Sequence, residues 1–215
     1  MNRRDASVWI SLIAAAFLAT SAVPAMAQTP AADMDQTEEA VLEELNLART
    51  NPAAYAGYVE QHKRDFKNYS MVLVDGIWIK TLEGVPAVDE AIGYLRKVAP
   101  APALSASGPL VLSARDHLND IGPKGMTGHG GSDGSRPLER IRRHGKPKSA
   151  TGESIAFRPA TARAIVVQLI VDDGVPDRNH RHTIFDPDFR VAGIAIGPHR
   201  NYGRMCVIDF ADQME

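Results

Sequence analysis

The stretch GPKGMTGHGGSDG, residues 122–134, divides the chain and settles how both flanks are read. Glycine recurs at 122, 125, 128, 130, 131 and 134, so the segment forms neither helix nor strand and is loop. His129 lies inside it with glycine on either side. Glycine permits tight turns, and a histidine in such a loop is open to solvent rather than packed in a core.

Upstream, residues 109–121 carry Val111, Ala114, Leu118 and Ile121 at helical spacing. His117 sits at the edge of that stripe, where it reads as a half-buried histidine bonded to backbone or as an additional cleft residue. Pro100-Ala101-Pro102 is a stiff extended link, and residues 88–98 read as a short helix. Before them Met71-Val72-Leu73-Val74 and Ile77-Trp78-Ile79 flank Asp75-Gly76, the pattern of a β-hairpin with a tight turn. Asp35 and Glu38 have the spacing of a capping box, and the helix after them carries Val41, Leu45 and Ala48. Asn51-Pro52 then starts a second helix, with Asn as cap and Pro at its first position.

Downstream, Gly152-Glu153-Ser154-Ile155-Ala156 begins an apolar segment. Residues 160–173 read as a helix with Ala162, Ile165, Val166 and Leu169 on one face. Residues 191–196 and 205–210 are apolar runs joined by a Pro/Gly-containing loop, which predicts an antiparallel pair. Helices mixed with hairpins, without strict strand–helix alternation, give an α+β class. The only cysteine, Cys206, is flanked by Met205, Val207 and Ile208, so it reads as a core thiol, and an internal disulfide is excluded.

At the N-terminus, Arg3 and Arg4 precede an uncharged, mostly apolar run over residues 8–23, followed by Ala25-Met26-Ala27. This is the layout of a secretory signal peptide cut after Ala27. The expected organisation is a signal peptide at 1–27, a flexible leader at 28–35 and one domain at 36–212. The protein is then exported, periplasmic or secreted, with no stable membrane anchor after cleavage. The formal net charge of −2 gives no footprint for nucleic acid. The basic cluster at 136–148 reads as a solvated loop face or as a contact for anionic lipid or cell-wall polymer.

On a helical wheel Asp173 falls in the apolar stripe of its helix, one turn beyond Leu169. A carboxylate facing the body at a helix C-terminus needs a cation, a proton or donors to meet it. The other reading ends the helix before Asp173 and leaves it solvated. His129, His180, Glu153 and Asp173 together supply the ingredients of a metal site with acid/base groups.

In order along the chain come Leu45-Asn46-Leu47-Ala48-Arg49, Gly128-His129-Gly130 with Gly131-Ser132-Asp133-Gly134-Ser135, Gly152-Glu153-Ser154-Ile155, and His180-Arg181-His182-Thr183-Ile184-Phe185. The ordered set resembles bacterial members of the CAP superfamily, the cysteine-rich secretory, antigen 5 and pathogenesis-related proteins with their SCP-like extracellular domain. The resemblance spans residues 38–211, with 67–102 as an insertion. It implies an α-β-α sandwich, a central antiparallel sheet covered by helices on both faces. It also implies an open cleft with two histidines, His129 and His180, and two acids, Glu153 and Asp173, that in some members takes a divalent metal such as zinc. Asp173 stands where relatives have the longer Glu, and Ser154 where they have Asn.

Two functions follow as expectations. The first is a binding module for a lipid, glycan or protein partner, with a weakly held metal on His129 and His180. The second is a metal-assisted hydrolase in which Glu153 or Asp173 activates water. No HExxH signature occurs, and the one G-x-S-x-G string, Gly130-Gly131-Ser132-Asp133-Gly134, lies in the glycine loop rather than at a strand-to-helix nucleophile elbow. Ser154 as a nucleophile is a third, weaker reading.

Overall fold

The computed structural model describes residues 34–215. The signal peptide and nearly all of the leader expected from the sequence lie outside the described residues. The helices are α1 (Gln36–Thr50), α2 (Pro52–His62), α3 (Val85–Leu95), α4 (Gly108–Ile121), α5 (Pro137–His144), α6 (Ala162–Val171) and α7 (Asn179–Phe185). The strands are β1 (Phe66–Asn68), β2 (Met71–Val74), β3 (Ile77–Lys80), β4 (Ser105–Ala106), β5 (Thr151–Phe157), β6 (Val191–His199) and β7 (Gly203–Ala211). No helix among the described residues is long and apolar enough to cross a membrane.

The central sheet has the order β4-β6-β7-β5, with β4 parallel to β6 and the other pairs antiparallel. Alternation along its strands sends side chains to two cores. Ala192, Ile194, Cys206, Ile208 and Phe210 face α1, α2, α3, α6 and α7. Ile155, Ala195, Met205 and Val207 face Ala114, Leu118 and Ile121 of α4. This is the α+β, α-β-α sandwich. Helix α4 rides so close to β6 at Gly193 that a Cβ there would lie 2.1 Å from the Val111 nitrogen, so only glycine fits.

The capping box forms as its spacing predicts. Asp35 accepts from the Thr37 and Glu38 amides, and Glu38 Oε2 accepts from the Asp35 amide. The other Glu38 oxygen takes the Ile196 amide of β6 at 2.9 Å, so the same residue anchors α1 to the sheet. Asn46 and Arg49, one helical turn apart, stitch α1 to the rest of the domain. Asn46 exchanges two hydrogen bonds with Leu104. The buried Arg49 guanidinium donates to the carbonyls of Pro102, Ile184, Asp186 and Phe189. Burial lowers its pKa to about 10, and Arg190 adds to the effect.

The β2–β3 hairpin turns at Asp75 and Gly76, both at positive φ, and β1 extends it to a second, three-stranded sheet. Helix α3 begins at Val85, ahead of the expected 88, because Gly84 takes φ +73 and Pro86 fits the first turn. Val88, Ala91, Ile92 and Leu95 bury into the same core as α1 and α6. The 67–102 segment is thus welded into the domain rather than appended to it.

Of the elements that build the site, three were not visible as periodic patterns. Strand β5 begins at Thr151, ahead of the apolar run, and carries Glu153. Helix α5 occupies the basic cluster that reads as a loop face, and it buries Arg140 and Ile141. Helix α7 is seven residues long, too short to show a period.

Candidate functional site

The site forms along the outer edge of β5, where the glycine loop after α4 meets the α6–α7 connection. Glu153 projects from β5 toward the α4 layer and is almost fully buried. Its Oε1 lies 2.7 Å from His129 Nδ1 and its Oε2 accepts from the Arg140 guanidinium at 2.6 Å. Burial pushes the Glu153 carboxyl up, but the His129 hydrogen bond and the Arg140 charge outweigh it and hold it below its ordinary 4.5. An ionised carboxylate only accepts, so His129 Nδ1 carries the hydrogen and Nε2 is left for a ligand.

Arg140 also donates to the carbonyls of His129 and Ser135. One buried cation therefore neutralises Glu153 and closes the glycine loop over it. Removing it would leave an unpaired buried charge, a loss of about 3–5 kcal/mol. Its environment was legible only in outline: Pro137, Leu138 and Ile141 have helix-start and helical spacing, but nothing marks Arg140 as the inward residue.

The second half of the site differs from the expectation at one position. Asp173 does not pair with His180. Its carboxylate accepts the amides of Leu82, Glu83 and Gly84 at 2.7, 2.8 and 3.1 Å and ties down the segment leading into α3. The acid beside His180 is Asp172, whose Oδ1 lies 2.6 Å from His180 Nδ1 and whose Oδ2 accepts the His180 amide at 3.0 Å. The physical reason is that α6 ends at Val171. Asp172 takes the left-handed conformation at φ 56, which rotates both aspartates off the wheel that put Asp173 inward. Asp tolerates that conformation, and the following Gly174 and Pro176 are stop signals that point to this boundary.

The two imidazoles thus meet as a matched pair. Each is held at Nδ1 by a buried carboxylate, and their ring centroids are 6.2 Å apart with an interplanar angle of 41°. His129 is the more open of the two. Among the described residues no cluster of three or more His, Cys, Asp or Glu is arranged to hold one ion.

His117 is fully buried rather than half-buried, and its Nε2 bonds the Gly128 carbonyl at 2.9 Å. It supports the loop from behind. Burial lowers its pKa, and the Arg140 charge adds to the effect. His199 is buried as well. Its Nε2 bonds the Met126 carbonyl and its Nδ1 accepts the Asn201 and Tyr202 amides. His182 is exposed. Ser154 is fully buried and alternates to the sheet face opposite Glu153, so it is no nucleophile for this cleft. Asp209, which the sequence pattern hides inside an apolar strand, pairs in register with Glu153 and is fully buried. Burial, then the Glu153 charge, raise its carboxyl well above the ordinary value.

A cavity of about 790 Å³ adjoins the pair. Its walls are β5, α6 and the inner face of the β2–β3 hairpin, and its end reaches Asp172, Asp173 and His180.

The sequence profile of the cysteine-rich secretory protein family, CAP, matches residues 90–210. The chain belongs to that family. Two solved structures are similar to it. One is an outer surface protein from Borrelia burgdorferi, 17% identical over 52% of this chain and 78% of that one, with a TM-score of 0.44. The other is an extracellular protein containing a SCP domain from Bacillus anthracis, 17% identical over 53% of this chain, with a TM-score of 0.43. This chain covers only 35% of the Bacillus protein. A search of curated proteins gave no match.

Proposed function

We propose that the protein is an exported CAP-domain binding module for a lipid, glycan or protein partner, whose cleft is organised by a weakly held divalent metal on His129 and His180. The observation that carries this reading is the matched pair itself. Each ring is oriented by a carboxylate at Nδ1, the arrangement that fixes the tautomer and raises the basicity of a metal-binding histidine.

The donor set fits a borderline-soft ion such as zinc, which takes imidazole nitrogen readily. Both carboxylates are spent on orienting the rings. The protein then offers two ligands where catalytic zinc sites commonly have three, which favours weak, exchangeable binding. Bound there, the metal supplies a Lewis acid able to hold an oxygen ligand.

The binding reading is preferred to the hydrolase for a specific reason. Both Glu153 oxygens are engaged and its carboxyl is held low, while Asp173 lies on the α3 side. Neither candidate base is available to a water.

The test is a calorimetric zinc titration of the mature chain, with His129→Ala and His180→Ala as controls. Heat of binding in the wild type that each substitution abolishes is the expected result. Absence of heat in the wild type would overturn the metal role.

A further inference from the structure

The central sheet ends on β5, and the ladder there can be read from both ends. The Arg158 amide donates to Arg204 O at 3.0 Å, and the Asp212 amide donates to Ala150 O at 3.2 Å. Between them the register runs without a break from Thr151–Ala211 to Phe157–Met205. Bonded and non-bonded pairs alternate in an antiparallel ladder. The even residues of β5 therefore bond β7, and the N–H and C=O groups of Glu153, Ile155 and Phe157 point to the outer edge. Phe157 shows the consequence, since its carbonyl accepts from the Gln168 side chain at 3.2 Å, where the amide of a further strand would stand.

This edge lines the cavity. Ile155 and Phe157 form one side, Val167 and Val171 of α6 another, and the directly opposed Val72 and Ile79 of the hairpin a third. Two residues before Ile155 comes Glu153, which holds His129. The hairpin that closes the cavity belongs to the 67–102 segment.

We infer that the cleft takes an extended peptide segment, which pairs with the free edge of β5 and lays alternate apolar side chains beneath the hairpin. This rests on the binding-module reading and names its partner. The edge decides the class of ligand. An acyl chain or sterol would fit the apolar walls but would leave the Ile155 N–H and C=O enclosed without a partner, which is costly. A peptide strand supplies both bonds and has the matching two-residue period, the mode of strand addition to an exposed sheet edge. The cavity volume lies within the range of about 300–1,000 Å³ typical of ligand sites.

The experiment uses the mature chain and a panel of capped pentapeptides with Val, Leu or Phe at alternate positions and Ser between. A second set carries N-methyl groups on the amides that would face β5, and dodecanoate is the lipid competitor. Affinities come from calorimetry and amide hydrogen exchange from NMR. At least one pentapeptide is expected to bind and to slow exchange at Ile155, with N-methylation weakening it by about tenfold or more. Ile79→Arg, on the hairpin face, is expected to abolish binding while the spectrum stays that of a folded protein. Equal binding of the N-methylated set, binding of dodecanoate alone, or no binding across the panel would each overturn the proposal. The zinc titration is independent of all three outcomes, so failure of the metal role and failure of the peptide edge are told apart.

Discussion

Asp172 and His180 are joined twice, ring to carboxylate at 2.6 Å and backbone amide to carboxylate at 3.0 Å, because Asp172 sits left-handed at the end of α6. The neighbouring Asp173 points the other way, into the amides before α3. Two adjacent aspartates thus serve two different elements.

Their substitutions should separate accordingly. Asp172→Ala frees the His180 ring and is expected to weaken zinc binding by about 10–100-fold, the usual cost of losing a ligand-orienting partner. Asp173→Ala should leave zinc affinity unchanged and lower stability by about 0.5–2 kcal/mol, as for loss of a cap. Calorimetry and urea denaturation of both variants check this. Loss of zinc binding in Asp173→Ala with Asp172→Ala unaffected would reverse the assignment.

Asp209 gives a pH signature. Burial, then the Glu153 charge, raise its carboxyl well above 3.8, so the native state holds a proton there that the unfolded chain has lost. A raised carboxyl pKa stabilises fully below the unfolded value, and that contribution is lost as pH rises toward the folded value. Asp209→Asn keeps the shape without the proton. It is expected to flatten the loss of stability as pH rises above the ordinary carboxylate range, and so to be more stable than the wild type at the alkaline end. Urea midpoints measured at pH 5 and at pH 8 check it, and an unchanged slope would show that Asp209 is ionised in the fold.

Arg178 clamps the site segment from the side of α3. It donates to both oxygens of Glu83 and to Glu90, and Glu83 also accepts the Gly174 amide. The Arg178 hydrogen bond, then the Gly174 amide, hold the Glu83 carboxyl at about 2. The clamp is therefore complete above the ordinary 4.5 and is lost as pH falls toward about 2. Glu83 and Glu90 are 37% and 49% exposed, so the double substitution to Gln should cost no more than about 1 kcal/mol globally. Amide exchange at 172–180 should nevertheless rise selectively, and zinc affinity should fall with it. Exchange measured residue by residue decides between this and a uniform loss of stability.

Much of the frame was legible. The capping box at Asp35, the Asn51-Pro52 restart, the Asp75-Gly76 hairpin, the stripe of α4 and the β6–β7 pair all rest on contacts within a few residues. So do the glycines that open His129. Arg140, Asp172 and Asp209 were not legible, because each matters through a partner distant in sequence or through a single backbone dihedral. Arg140 looks like one of several arginines until α5 packs it over Glu153. Asp172 and Asp173 are interchangeable on a helical wheel until φ at 172 turns positive.

The sequence alone determined the class of the fold and, through its resemblance to the family, pointed to His129, Glu153 and His180, since hydrophobic period, turn residues and motif order are local properties. The tertiary structure decided which acid completes the pair, which cation neutralises Glu153 and which sheet edge stays open. Those outcomes depend on desolvation and on strand order, and both come into being only when distant segments meet.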